Sequence, residues 1–360
     1  MRRGWTTGAC ATAATKAAYT ALLTGTFPDP VQIHLPKGHT PAFALTQTNL
    51  TETEAMAAII KDAGDDPDVT HGATVRATVR RGEPGSGVTF RAGQGVGTVT
   101  KAGLPLPVGE PAINPVPRRL MRDVVAELGG GDVVIEISVD DGEELARHTW
   151  NPRLGILGGL SILGTTGVVI PYSCSAWIDS IRRGIDVARA AGRRHVAGCT
   201  GSTSEKAVAR LHGLPDDALL DMGDFAGAVL KYLRAHPVPR LTVAGGFAKL
   251  SKLADGHLDL HSGRSQVDLH ALARRAREAG GDDQLAARIE GANTAMEALQ
   301  LAAAAGVPLA DHVAAGARDT ARAVLGDAPV EVDVVVIDRA GRPVGHAPRS
   351  TGGCPESPPP

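Results

Sequence analysis

Apolar residues recur at helical spacing from Ala11 through Ala14 and Ala18 to Leu22, between a Thr6-Thr7 pair and Gly25. Threonine satisfies the open N–H groups of a first helical turn and glycine accepts the backbone that ends a helix, so this run predicts a helix opened by Thr6 or Thr7. Val31–Leu35 and Phe43–Leu50 read as strands, Glu54–Lys61 as a short helix stopped at Gly64, and His71–Arg81 and Gly87–Arg91 as strands joined through Pro84-Gly85. Gly95–Lys101 is a further strand, Pro117–Leu128 a helix and Val133–Val139 a strand. Helices and strands do not alternate strictly here, which predicts an α+β N-terminal domain over residues 1–148.

Beyond about residue 150 the pattern changes. Val168–Pro171 precedes a helix over Ala176–Ala191, and Arg194–Cys199 leads through Thr200–Ser204 into a helix over Glu205–Leu211. Leu219–Met222 precedes Phe225–Ala235, and Leu241–Ala244 passes through Gly245-Gly246 into Ala248–Ala254. Successive strand–loop–helix units predict an α/β, Rossmann-like domain with a mainly parallel sheet over 149–348. Further helices are expected around 267–278, 282–305 (broken) and 309–325, then a hairpin of Val330–Asp338 and Arg342–Ala347 around Gly341. Residues 349–360, ending in three prolines, are expected to be a disordered tail.

Charge and cysteine usage narrow the function classes. The 360 residues carry 37 Lys+Arg against 39 Asp+Glu, and aromatics are 3%, so neither a basic field nor a stacking platform for nucleic acid exists. Cys10, Cys174, Cys199 and Cys354 are scattered, with no zinc spacing, which fits a reducing cytoplasm. Leu154–Ile178 lacks charge but holds five glycines and Pro171, so it reads as buried loop rather than a membrane span. Lys16 interrupts any export signal after Arg2-Arg3.

Several clusters could carry chemistry. Gly93-Gln94-Gly95-Val96-Gly97 fails as a dinucleotide fingerprint because a strand follows it. Lys61–Gly72 gathers Asp66, Asp68 and His71, which could serve a metal or a general base, although such spacing more often marks a solvated turn. Ser161, Thr165 and Thr166 lie in a glycine-rich run that suits an anion or a nucleoside hydroxyl, or a close-packed domain crossing. His257, Asp259 and His261 alternate as metal ligands on a strand could, while Lys249, Lys252 and Arg264 around them favour an anion pocket. Thr200-Gly201-Ser202 and Gly245-Gly246 fall where open α/β sheets bind ligands, at the carboxyl ends of strands.

Longer strings carry a resemblance. Gly4-Trp5-Thr6-Thr7-Gly8-Ala9-Cys10-Ala11, Lys61–Gly72, Gly95–Lys101, Ala112-Ile113-Asn114-Pro115, Thr149-Trp150-Asn151-Pro152-Arg153-Leu154-Gly155 and Ser161–Gly167 resemble, in order, segments of the CbiD family, the cobalt-precorrin-5B C(1)-methyltransferases of cobalamin biosynthesis. Lys249–Ala254, Asp259-Leu260-His261-Ser262 and Gly291–Ala295 are similar too. Gly245-Gly246-Phe247-Ala248-Lys249 departs from the Gly-His-Pro-Gly-Lys-like turn of many relatives. The resemblance implies S-adenosylmethionine as methyl donor and a small-molecule corrinoid bearing its own cobalt as substrate, with no resident metal, nucleic acid or membrane. A homo-oligomer and transient contact with neighbouring pathway enzymes are compatible with it. On that reading Thr200, Gly201, Ser202, Gly245 and Gly246 hold the donor. Lys101, Arg118, Lys249 and Arg264, with Ser161, Thr165 and Thr166, hold the substrate. His71, oriented by Asp66 or Asp68, is the acid–base group, with His261 second. Two other readings are a metal-dependent hydrolase using the Asp66/His71 and His257/His261 clusters, and a non-catalytic corrinoid carrier.

Overall fold

The computed structural model describes residues 1–349, so most of the expected tail, and Cys354 within it, lies outside the described residues. The chain divides into two compact units after Cys174.

The first unit opens with β1 (Gly4–Trp5) and α1 (Thr7–Thr24), then β2 (Val31–Gln32), β3 (Ala42–Phe43) and β4 (Gln47–Leu50). There follow β5 (Glu54–Ile60), β6 (Thr74–Arg81), β7 (Val88–Ala92), β8 (Gly95–Val96) and β9 (Thr98–Val99). Next come α2 (Pro115–Glu127), β10 (Val133–Val139) and α3 (Gly142–Arg147), and then β11 (Ile156–Leu157), β12 (Gly159–Leu160) and β13 (Val168–Val169). Thr6 caps α1, its hydroxyl accepting from the Ala9 N–H at 3.2 Å, and Gly25 ends it at φ 79°. Alanines and hydroxyl-satisfied threonines let this almost wholly buried helix lie on a sheet of order β4-β5-β6-β10-β7.

Two expectations fail in this unit. The helix expected over Glu54–Lys61 is strand β5: Ala55, Ala57 and Ile59 face the core, and pairing with β4 and β6 on both sides overrides the helix preference of alanine. Residues 149–174, expected to begin the second domain, run with the first unit: β11 pairs with β9, β12 with β8, and β13 with β1. Val168–Val169 therefore does not start the parallel sheet.

The second unit contains α4 (Cys174–Ala190), β14 (His195–Cys199), α5 (Ser202–His212), β15 (Leu219–Asp221), α6 (Ala226–Ala235), β16 (Arg240–Gly246) and α7 (Phe247–Ala254). It continues with α8 (Leu269–Glu278), α9 (Asp283–Glu290), α10 (Ala295–Ala304), α11 (Leu309–Leu325), β17 (Glu331–Ile337) and β18 (Pro343–Ala347). The described strands run β15-β14-β16-β17-β18, parallel except for β18, which closes the hairpin with β17. Ala207 and Val208 of α5 pack on one face, against Cys199, Ala244 and Val335. Side chains of α4, α6, α7 and α11 join Val196, Val243 and Val334 in the core on the other.

The buried sheet carries one polar chain. Arg240 Nε and Thr242 Oγ1 each donate to Asp333 at 3.0 Å, and the Thr242 hydroxyl accepts from His195 Nε2 at 2.7 Å, which fixes a neutral Nε2–H tautomer. Burial, reinforced by the Arg240 charge, pulls the His195 imidazole down to about 4. The unfolded chain thus takes up this proton near pH 6.5 while the folded one resists to about 4, so stability falls as pH drops through that window. Allowing for partial solvent access, His195 should cost about 2 kcal/mol across it. Urea unfolding between pH 6.5 and 5 should show a shallower pH slope for His195→Asn than for wild type. Equal slopes would remove His195 from the effect.

Candidate functional site

The strand order of the second unit makes β14 the point where the sheet reverses direction, with β15 on one side and β16 on the other. Loops leaving neighbouring strands diverge at such a point and open a crevice at their carboxyl ends. Thr200 and Gly201 follow β14, and Gly245-Gly246 end β16. The Thr200 N–H donates to the Ala244 carbonyl at 3.0 Å, drawing the loops together. A Cβ on Gly245 would sit 2.6 Å from Thr200 Oγ1, so packing alone requires glycine there. Gly246 differs: its φ is −69° and a Cβ would meet nothing within 4 Å, so the missing side chain leaves open space at the crevice. Gly201 caps α5 with no side-chain hydrogen bond, and the Ser204 hydroxyl turns back to the Gly201 carbonyl at 2.7 Å.

Lys249, in the first turn of α7, ties these loops. Its Nζ donates to the Thr200 carbonyl at 3.2 Å and pairs with Asp224 of the β15–α6 loop at 3.0 Å. The buried Lys252 ammonium donates to the Leu260 carbonyl at 2.8 Å, and the Leu260 N–H donates to the Asp224 carbonyl at 2.8 Å, so the segment after α7 is held by the same loop. A cavity of about 360 Å³ opens beside it, walled by Ile178, Arg182, Phe225, Tyr232 and Asp259. A larger cavity of about 660 Å³ lies at the other edge of the sheet, where Arg240 and Arg349 are paired to Asp333 and Glu331.

Most of the residues expected to bind substrate have partners within the chain. Arg118 donates to the Ile113 and Pro111 carbonyls at 2.7 and 2.9 Å and to Glu110 at 2.8 Å, clamping its own preceding turn. Arg264 is paired to Asp259 at 2.5 Å. Burial alone would raise the Asp259 carboxyl, but Arg264 and the His261 N–H outweigh it and hold it below its ordinary range. Lys249 and Lys252, expected beside Arg264 in an anion pocket, meet the Thr200 and Leu260 carbonyls and Asp224. Ser161 is buried and donates to Asn151 at 3.3 Å, and the Thr166 hydroxyl accepts from the Val168 N–H at 3.3 Å. Thr165 is exposed, and Lys101 is half-buried with Nζ 3.5 Å from the Arg153 carbonyl.

The residues expected to do acid–base work are also hydrogen-bonded within the chain. His71 Nδ1 accepts the Ala63 N–H at 3.1 Å, so the neutral ring carries its proton on exposed Nε2 and has a donor, not an acceptor, to present. Its neighbouring carboxylate is Asp62, 3.9 Å away, rather than Asp66 or Asp68. Hydrogen bonds from Arg2 and from the Gly64 N–H lower Asp62 to about 2. Asp66 accepts the Tyr172 N–H at 2.8 Å. Asp68 holds the buried Lys61 ammonium at 2.7 Å: burial would raise its carboxyl, but Lys61 and Thr70 hold it low. His261 Nδ1 accepts the Gly263 N–H at 3.1 Å. Burial pushes the Cys10 thiol up to about 12, which keeps it inert. Among the described residues, no group of three or more His, Cys, Asp or Glu side chains is placed to hold a metal ion.

Comparison with known proteins decides the family. The CbiD model matches residues 1–171, and the model described as CbiD, C-terminal domain, matches 259–348. A Rhodospirillum rubrum protein named cobalt-precorrin-5B C(1)-methyltransferase is 64% identical over 346 residues, covering 96% of this chain and 97% of its own. The chain belongs to the CbiD family. Relatives of the same name in Paramagnetospirillum magneticum (63% identical, 96% of this chain, 98% of that one) and Brucella canis (64%, 95% and 94%) are similar over the same extent. The crystal structure of the cobalamin biosynthesis protein cbiD from Archaeoglobus fulgidus is 27% identical over 69% of this chain and 77% of that one, with a TM-score of 0.38. The loops at the sheet's reversal point fall between the two CbiD segments.

Sequence reasoning missed three residues at this edge: Asp221, at the end of β15; Asp224, the partner of Lys249; and Trp177, whose indole N–H donates to the Asp221 carbonyl at 2.9 Å. One signal was available for Asp221, an acid 20 residues after Gly201, closing the strand that follows α5.

Proposed function

We propose that this CbiD protein transfers the methyl group of S-adenosylmethionine to carbon 1 of cobalt-precorrin-5B, giving cobalt-precorrin-6A in anaerobic-type cobalamin biosynthesis. The observation that carries this is 64% identity across nearly the whole chain to a relative named for that reaction. The cobalt belongs to the substrate. We read the enzyme as cytoplasmic from its few scattered cysteines, and no described helix is long and apolar enough to cross a membrane.

The second unit, read as Rossmann-like, holds the methyl donor at the carboxyl edge of β14 and β16. Gly246 admits the nucleoside, the first turn of α5 at Gly201 and Ser202 faces it with backbone N–H groups, and the Lys249–Asp224–Thr200 ties keep the loops in place. In the first unit, Lys101 and the exposed Thr165 remain as substrate contacts, and His71 offers an Nε2–H to a substrate acetate or propionate. When bound, the donor supplies an electrophilic methyl group. The chain's part is to orient the reacting partners and exclude water, since positioning dominates the rate of an in-line displacement. Incubation with S-adenosylmethionine labelled at the methyl carbon and with cobalt-precorrin-5B should place one labelled methyl group on carbon 1. Label on another carbon, or none transferred, would overturn the assignment.

A further inference from the structure

We propose that the cavity between α4, α6 and the segment after α7 binds one carboxylate-bearing edge of the corrinoid substrate, with Arg182 and Lys231 as its cationic contacts, an inference that rests on the methyl-transfer reading above. Both helices start at the carboxyl edge of the sheet. Helix α6 follows β15, and α4, which precedes β14, is tied there by the Trp177 N–H on the Asp221 carbonyl at 2.9 Å. Ile178 and Gly227 lie near the starts of α4 and α6, and Arg182 and Lys231 follow them by four residues. On a helix that spacing keeps one face and moves about 6 Å along it. The cavity is therefore apolar toward the donor crevice, where Ile178, Phe225 and Leu258 are half-buried, and cationic away from it.

The walls are set by the chain itself. The Gly227 N–H donates to the Leu258 carbonyl at 2.9 Å, and a Cβ on Gly227 would meet the Leu258 Cβ at 2.9 Å, so glycine lets this segment press onto α6. The Tyr232 hydroxyl donates to Asp186 at 2.8 Å, and the Arg182 guanidinium lies over the Tyr232 ring, 5.9 Å from its centre. A guanidinium held on a ring face keeps its in-plane N–H groups for a carboxylate. Among the described residues, neither Arg182 nor Lys231 has an ion-pair partner, whereas Asp259, the acid lining this cavity, is paired to Arg264 at 2.5 Å. Two exposed cations beyond an apolar floor match a flat, largely apolar ring with acetate and propionate arms. A small inorganic anion would leave that floor unused. The volume of about 360 Å³ takes one edge of such a ring and leaves the rest of the macrocycle toward the crevice.

The test is steady-state methyl transfer by the full chain, from labelled S-adenosylmethionine to cobalt-precorrin-5B, in wild type, Arg182→Met, Lys231→Met, Arg182→Lys and Arg234→Met. Methionine keeps an apolar stem and removes the charge. Arg234 is an exposed cation of α6 outside the cavity, so its variant matches the change in net charge. Thermal melts confirm that each variant folds. The KM for cobalt-precorrin-5B should rise about tenfold in Arg182→Met and in Lys231→Met, with kcat and S-adenosylhomocysteine affinity within about twofold of wild type. Arg182→Lys should recover part of the loss, and Arg234→Met should match wild type. An unchanged KM in both cavity variants, or a loss shared equally by kcat and S-adenosylhomocysteine affinity, overturns the subsite and leaves the assigned reaction standing. No methyl transfer by the wild-type chain overturns the reaction, and the subsite with it.

Discussion

Gly246→Ala should fold as well as wild type and bind S-adenosylhomocysteine about ten- to a hundredfold more weakly. Its φ of −69° is ordinary for alanine and the added Cβ meets no protein atom within 4 Å, so the fold pays nothing. Restricting the unfolded chain should even stabilise it by about 0.4–1 kcal/mol. The methyl group instead enters the space assigned to the nucleoside, where overfilling a fitted site costs about 1–3 kcal/mol. Gly245→Ala is the informative contrast, because its Cβ collides with Thr200 and should lower the melting temperature. Thermal melts and calorimetry on both variants separate the effects. Wild-type affinity in Gly246→Ala would show that no ligand uses this space.

Asp68→Ala should destabilise the first unit by about 3 kcal/mol, because removing one partner of a buried pair strands the other's charge. Lys61 is 1% exposed, and Asp68 meets its ammonium at 2.7 Å. Asp68 is itself 26% exposed, so water entering the vacated site offsets only part of the loss. The melting temperature should fall by roughly 6–12 °C. Adding Lys61→Met removes the stranded charge and should recover most of it, since apolar replacement of a buried pair is often neutral. A loss below about 1 kcal/mol in Asp68→Ala would mean that the ammonium reaches water and that Asp68 is available for another role.

What the sequence revealed tracks how local each interaction is. Helix α1 was legible because its cap, its alanine spacing and Gly25 all lie within the helix or next to it. Strand β5 was not, because its alanines read as helix until β4 and β6 pair on either side. The two-residue strands between 149 and 174 are defined only by partners far back in the chain, as Val168 is by Trp5, so the unit boundary was placed too early. At the candidate site, the two glycine loops stood out because strand–loop–helix grammar marks them. The partners of Lys249 and Arg118 were not legible, for a common reason. Backbone carbonyls accept much of what they donate, and a carbonyl has no letter in the sequence.

The placement of the methyl donor is tested most directly by amide hydrogen exchange on the full protein with and without saturating S-adenosylhomocysteine. Added protection should concentrate in three segments, 199–204, 221–226 and 245–249, which are the loops joined at Thr200, Asp224 and Lys249. Protection confined to the first unit, for example at the glycine-rich residues 161–167, with none in those loops, would contradict it.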